Sequence, residues 1–247
     1  MDSSSTHLRD LVRDAAQREL VDEDGEPVTL ELLPGLLESE LVGFEATLPC
    51  AVPADVRDLL LSSRGIDGIV DVLDFTGRAL EFEAPEVFPH GLPIAHDGFG
   101  NYWVVDLAPS SKTFGPIYFA CHDAPVVLYQ SPDLEHFLVE LFEMVTPPHR
   151  SAVNGVHDDE LFDVWRKNPG VRSHEECLAS GDEALRAFAE ELGPSFEIID
   201  LRRAEIGFGF SWGRYGPNTV VRRFGHEPIF AYERRPSFWR RLLGRAG

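Results

Sequence analysis

The chain has 247 residues, 43% of them hydrophobic and 26% charged, enough for one large domain or one domain with a smaller module. Its net charge of −20 at pH 7 repels phosphate backbones from most of the surface, which disfavours nucleic-acid binding by the main body. No run of about eighteen apolar residues offers a membrane span. Residues 1–10 are polar and lack the apolar core of a signal peptide, and the three cysteines, Cys50, Cys121 and Cys177, are too scattered for a disulfide framework or a CxxC zinc site. A cytoplasmic protein is expected.

In chain order, Leu8, Leu11, Val12, Ala15 and Ala16 recur at helical spacing and predict a helix over 6–20. Leu37, Leu41, Phe44 and Leu48 predict a second helix, and Val56, Leu59 and Leu60 a short third one with Gly65 at its C-terminal cap. The apolar period then shortens to that of strands at 69–75 and 79–83, around the turn Thr76-Gly77-Arg78. Further strands are predicted at 102–107, 117–121 and 126–129, the first of them entered through the turn-forming cluster 96–101. Leu134, Phe137, Leu138, Leu141, Phe142 and Val145 form one helix face, with Ser131 as the predicted cap and Pro147-Pro148 as the stop. Helices, then a strand meander, then a closing helix is the order of an α+β domain, not of alternating βαβ units.

Beyond residue 148 the sequence predicts a short helix at 159–166 and another through Leu185, Phe188, Ala189 and Leu192. Strands follow at 196–201, 206–212, 220–224 and 229–232, then a basic amphipathic helix at 237–243. From Leu201 onward ten arginines face three glutamates, so this end is net +7 and the first 200 residues carry −27. Such a shift marks a second unit packing on the acidic body. The expected division is a domain at 1–148 and a smaller α+β module at 149–247.

Four pieces in sequence order carry a resemblance. They are the acidic-Gly turn in Ile94-Ala95-His96-Asp97-Gly98-Phe99-Gly100-Asn101, the aromatic strand Tyr102-Trp103-Val104-Val105-Asp106, then Gly115-Pro116-Ile117-Tyr118-Phe119, and the closing helix through Phe137, Leu138 and Leu141, with Val52-Pro53-Ala54-Asp55-Val56 ahead of them. Between residues 34 and 145 the chain resembles the Smi/Knr-like domains of the SUKH superfamily. That resemblance implies a twisted, mostly antiparallel sheet flanked by helices. It makes Asp97, Gly98, Gly100, Asp106, Gly115 and Pro116 architectural. It also implies a non-catalytic protein-binding role, commonly that of bacterial immunity proteins against toxins. A regulatory scaffold of the fungal Smi/Knr type is the alternative.

Read on their own chemistry, the same residues yield little catalysis. Asp97-Gly98-Phe99-Gly100-Asn101 lacks the GxGxxG spacing and leads into a strand, so it reads as a hairpin turn and not as a phosphate cradle. The pairs His96-Asp97 and His122-Asp123 offer metal-ligand atoms, but neighbours on a strand point to opposite faces. Cys121 beside His122 lacks any nucleophile signature. GxSxG, Walker and SxxK motifs are absent, so neither a cofactor nor an enzymatic activity is expected, and an uncharacterised hydrolase using Cys121, His122 or His96 is the third reading. The acidic positions Asp71, Asp74, Glu81, Glu83 and Glu86 are the expected contact surface for a basic toxin or another protein, because opposite charge raises the encounter rate.

Overall fold

The computed structural model describes residues 8–82, 84–121, 124–213 and 219–234, and of Asp158 and Asp159 the backbone alone. Helix α1 (Leu8–Ala15) is followed by the short strands β1 (Leu20–Val21), β2 (Pro27–Val28) and β3 (Glu31–Pro34). Helices α2 (Glu38–Glu45) and α3 (Ala54–Ser62) lead into β4 (Ser63–Asp67), β5 (Val72–Leu73) and β6 (Gly91–His96). Next come β7 (Tyr102–Asp106), β8 (Ile117–Cys121), β9 (Val126–Ser131) and helix α4 (Leu134–Glu143). Helix α5 (Ala152–Asn154), a π-helical turn at Gly155–Glu160 and α6 (Leu161–Lys167) then cross to β10 (Arg172–Ser173), α7 (His174–Leu178) and α8 (Glu183–Glu191). The last described strands are β11 (Phe196–Asp200), β12 (Gly209–Phe210), β13 (Val221–Arg223) and β14 (Ile229–Glu233).

The fold is α+β, built on two antiparallel sheets. The first has the order β12-β9-β8-β7-β6-β5 and the second β10-β11-β14-β13. Strand alternation sends successive side chains to opposite faces, and the burial follows that rule closely. From β7, β8 and β9, Trp103, Val105, Phe119, Val126 and Leu128 point to one side, where Leu59 and Leu60 of α3 and Phe137 and Leu141 of α4 cover them. Their neighbours Val104, Tyr118, Ala120 and Val127 point to the other side and meet Ile199, Phe230 and Tyr232 of the second sheet. That sheet turns Ile198, Ile229 and Ala231 outward onto Cys177, Leu185 and Phe188 of α7 and α8. The layers therefore run helix, sheet, sheet, helix.

Several boundaries differ from the sequence reading. Gly65 does not cap α3 but lies within β4, where an added Cβ would run into the Leu73 carbonyl. The strand predicted at 69–75 shrinks to β5, and 79–82 forms turn and irregular chain with Leu80 buried. The cap of α4 is Asp133, whose carboxylate accepts from the His136 amide at 2.9 Å, and not Ser131. The strand predicted at 206–212 shortens to β12 and pairs with β9, joining the sheet of the first half. The helix predicted at 237–243 lies outside the described residues. Among the described residues, no helix is long and apolar enough to cross a membrane.

Candidate binding surface

The turn from β6 to β7 is held by one carboxylate. Asp97 accepts hydrogen bonds from the Phe99 amide at 2.9 Å, the Asn101 amide at 3.2 Å and the Asn101 side-chain amide at 2.6 Å. His157, from the π-helical turn, adds a fourth contact at 3.0 Å. Burial alone would raise the Asp97 carboxyl, but the hydrogen bonds from Asn101, His157 and the two amides outweigh it and hold it below the usual range. Gly98 and Gly100 adopt φ of 80° and 86°, a region glycine enters without a Cβ clash. The His96 ring accepts from the Gly98 amide at 2.8 Å and lies 3.3 Å from Asp71. So braced, the turn presents Phe99 with 78% of its surface exposed.

The segment after the Thr76-Gly77-Arg78 turn runs beside this tip. Phe82 packs on Tyr102 with ring centroids 5.2 Å apart, and Phe82, Gly100, Tyr102 and Trp212 border an apolar cavity of about 100 Å³. Glu81 and Glu86 are exposed on that segment, and Asp71 is exposed against Gly98. Asp71 therefore flanks the turn that carries Phe99 and Glu81 adjoins Phe82, whereas Glu86 adjoins Val87, whose carbonyl accepts from Arg223 at 2.9 Å near the other end of β7.

The other sequence-predicted positions fall elsewhere. Asp74 is buried and takes no part in the surface. Its carboxylate receives Arg64 at 3.0 Å, the Thr76 amide at 2.9 Å and the Thr76 hydroxyl at 2.5 Å, so it anchors the turn internally. Glu83, His122 and Asp123 lie outside the described residues. Asp106 is buried in a two-pronged ion pair with Arg223, at 2.8 and 2.7 Å, which ties β7 to β13. Burial pushes the Asp106 carboxyl up, while Arg223 pulls it down. At Gly115, beside Pro116, an added Cβ would strike the Pro132 carbonyl, so β8 enters against the start of α4 only through glycine.

His96 and Asp97, adjacent in sequence, are occupied by different partners. Among the described residues, no three His, Cys, Asp or Glu side chains gather at metal-ligand spacing. Cys121 is buried at the end of β8. Sequence reasoning gave His157 no role and read Phe99 only as part of the turn. It also missed that Arg223 partners Asp106, although the switch from an acidic body to a basic end was the signal for such a contact.

With this geometry in place, residues 35–140 match the model of the SMI1 / KNR4 family (SUKH-1). No curated protein and no solved structure matches the chain.

Proposed function

We propose that this chain, whose residues 35–140 form a Smi/Knr-like domain, acts by binding another protein, as an immunity protein that occludes a basic bacterial toxin in the cytoplasm. The observation that carries this reading is Phe99, exposed on a turn fixed by Asp97 and flanked by the carboxylate of Asp71, with exposed Glu81 next to the Phe82 ring that packs on Tyr102. Exposed aromatics on rigid supports make binding hot spots, because little side-chain freedom is lost on contact. Surrounding negative charge steers a basic partner toward them. Contact is favoured over catalysis because His96 and Asp97, the most chemically suggestive pair, are both engaged in holding the turn.

In this reading, 1–148 is the binding domain and 149–247 an extension packed on it. Support comes from the family match over 35–140 and from three attachments to later residues: His157 on Asp97, Arg223 on Asp106 and β12 on β9. The test is co-expression with the toxin domains encoded beside this gene. Protection and a stable complex are expected. Substituting Phe99→Ala together with Glu81→Lys is expected to slow association most at low salt. Failure to bind or protect against any neighbouring toxin overturns the immunity reading. Unchanged association by the double variant overturns the assigned surface.

A further inference from the structure

The second sheet carries a separate concavity that the acidic surface does not use. It has a volume of about 650 Å³, within the range of small-molecule pockets. Its floor is a fixed charge network. Arg202 donates to Asp200 through two nitrogens, at 2.9 and 2.7 Å, and to Asp182 at 2.7 Å. Asp182 is itself pinned as the cap of α8, accepting from the Leu185 amide at 3.0 Å, and Asp200 accepts from the Arg202 amide at 3.0 Å. This network joins β11 to α8 and leaves the floor little freedom to collapse.

Two more arginines converge on the cavity, Arg172 from β10 and Arg203 from the turn after β11. Both are exposed, and among the described residues neither makes an ion pair or side-chain hydrogen bond, in a chain with 42 acidic residues against 22 basic ones. Three arginines and three carboxylates line the cavity, so its net charge is zero, but Arg202 is committed to Asp182 and Asp200, which leaves Arg172 and Arg203 as the guanidinium groups at the mouth without an ion pair among the described residues. The repulsion from the −20 body is screened beyond about 8 Å at physiological salt, so a small anion in the cavity is governed by its direct contacts with Arg172 and Arg203 and not by the net charge. One wall is apolar, made by Leu185, Ala204 and the half-buried ring of Phe208. That ring lies directly over Gly170, where any Cβ would collide with it.

We propose that this cavity binds a small phosphorylated molecule with a planar or apolar body, a nucleotide being the simplest case. Arg172 and Arg203 take the phosphate as guanidinium forks suited to paired oxygens. Phe208 takes the planar part. The site is independent of the protein-binding surface, so its failure would leave that reading standing.

The experiment is calorimetric titration of the full chain with ATP, adenosine and inorganic pyrophosphate. Saturable binding of one ATP per chain is expected, with adenosine and pyrophosphate each weaker by about tenfold or more, since each lacks one half of the contacts. The exposed double substitution Arg172→Ala/Arg203→Ala should weaken ATP by about tenfold or more while leaving the thermal midpoint unchanged. Absence of ATP binding, binding that survives the double substitution, or adenosine or pyrophosphate binding as tightly as ATP would each overturn the proposal.

Discussion

At the scale of single residues, the two aspartates of the central motif run show how one residue type serves two environments. Asp106 is buried opposite one guanidinium, whereas Asp97 sits under a turn and satisfies four donors at once. Replacing Asp97 with Ala strands those donors and should cost about 2–4 kcal/mol, read as a lower urea midpoint. Asp97→Asn keeps an acceptor for the backbone amides and should cost less. The pH dependence follows from the carboxyl being held below its ordinary value in the folded chain. Its contribution is complete above the unfolded value of about 3.9 and is lost as pH falls through the lower folded value. The stability gap between the wild type and Asp97→Asn should therefore be constant from neutral to mildly acid pH and close only below about pH 4. A gap that closes near pH 6 would place the effect on a histidine instead.

At the scale of elements, strands with a strong apolar run were legible to their bounds, and those that exist through tertiary pairing were missed or misjudged in length. Strand β8 was read to the residue because Ile117, Tyr118, Phe119, Ala120 and Cys121 are all buried and bounded by turn residues. Strand β3 carries no such pattern, and the sequence reading makes β12 too long, at 206–212. Gly209 and Phe210 are a strand only because β9 pairs with them. The binding surface was half legible for a related reason. Exposed acids announce themselves in a sequence, yet Asp74 carries the same letter and is buried on Arg64. Gly209 gives this dependence a test. An added Cβ would run into the Val127 carbonyl, so Gly209→Ala must push β12 off the edge of the sheet. A loss of about 2–4 kcal/mol is expected, on the scale of other backbone clashes at buried positions. Hydrogen exchange should localise the change to the amides of Tyr129 and Gly207, which bond across this junction. A silent substitution would show that β12 is dispensable.

At the scale of the whole molecule, the first sheet is covered on both faces, and residues beyond 148 contribute to both coverings. Helical residues from both halves cover one face, Val153, Val156, Leu161 and Val164 joining those of the first half, while Tyr118, Val104 and Val127 on the other are buried by Phe230, Tyr232 and Ile199 together with Val87 and Phe88. Fully burying a large apolar side chain is worth about 1.5–3 kcal/mol, so this interlayer weighs heavily against a net stability of about 5–15 kcal/mol. Asp106 deepens the dependence, because a buried carboxylate that loses its guanidinium typically costs about 3–5 kcal/mol. The family match ends at residue 140, yet the physical unit does not end there. A chain truncated after residue 148 should lose the partner of Asp106 and expose a sheet face bearing Val104, Tyr118, Ala120 and Val127. It should bind hydrophobic dyes and lack a cooperative thermal transition. The full chain should melt in one transition, with equal calorimetric and van 't Hoff enthalpies. Two separable transitions, or a truncated chain that melts sharply on its own, would show that the second sheet is an appendage and not half of the core.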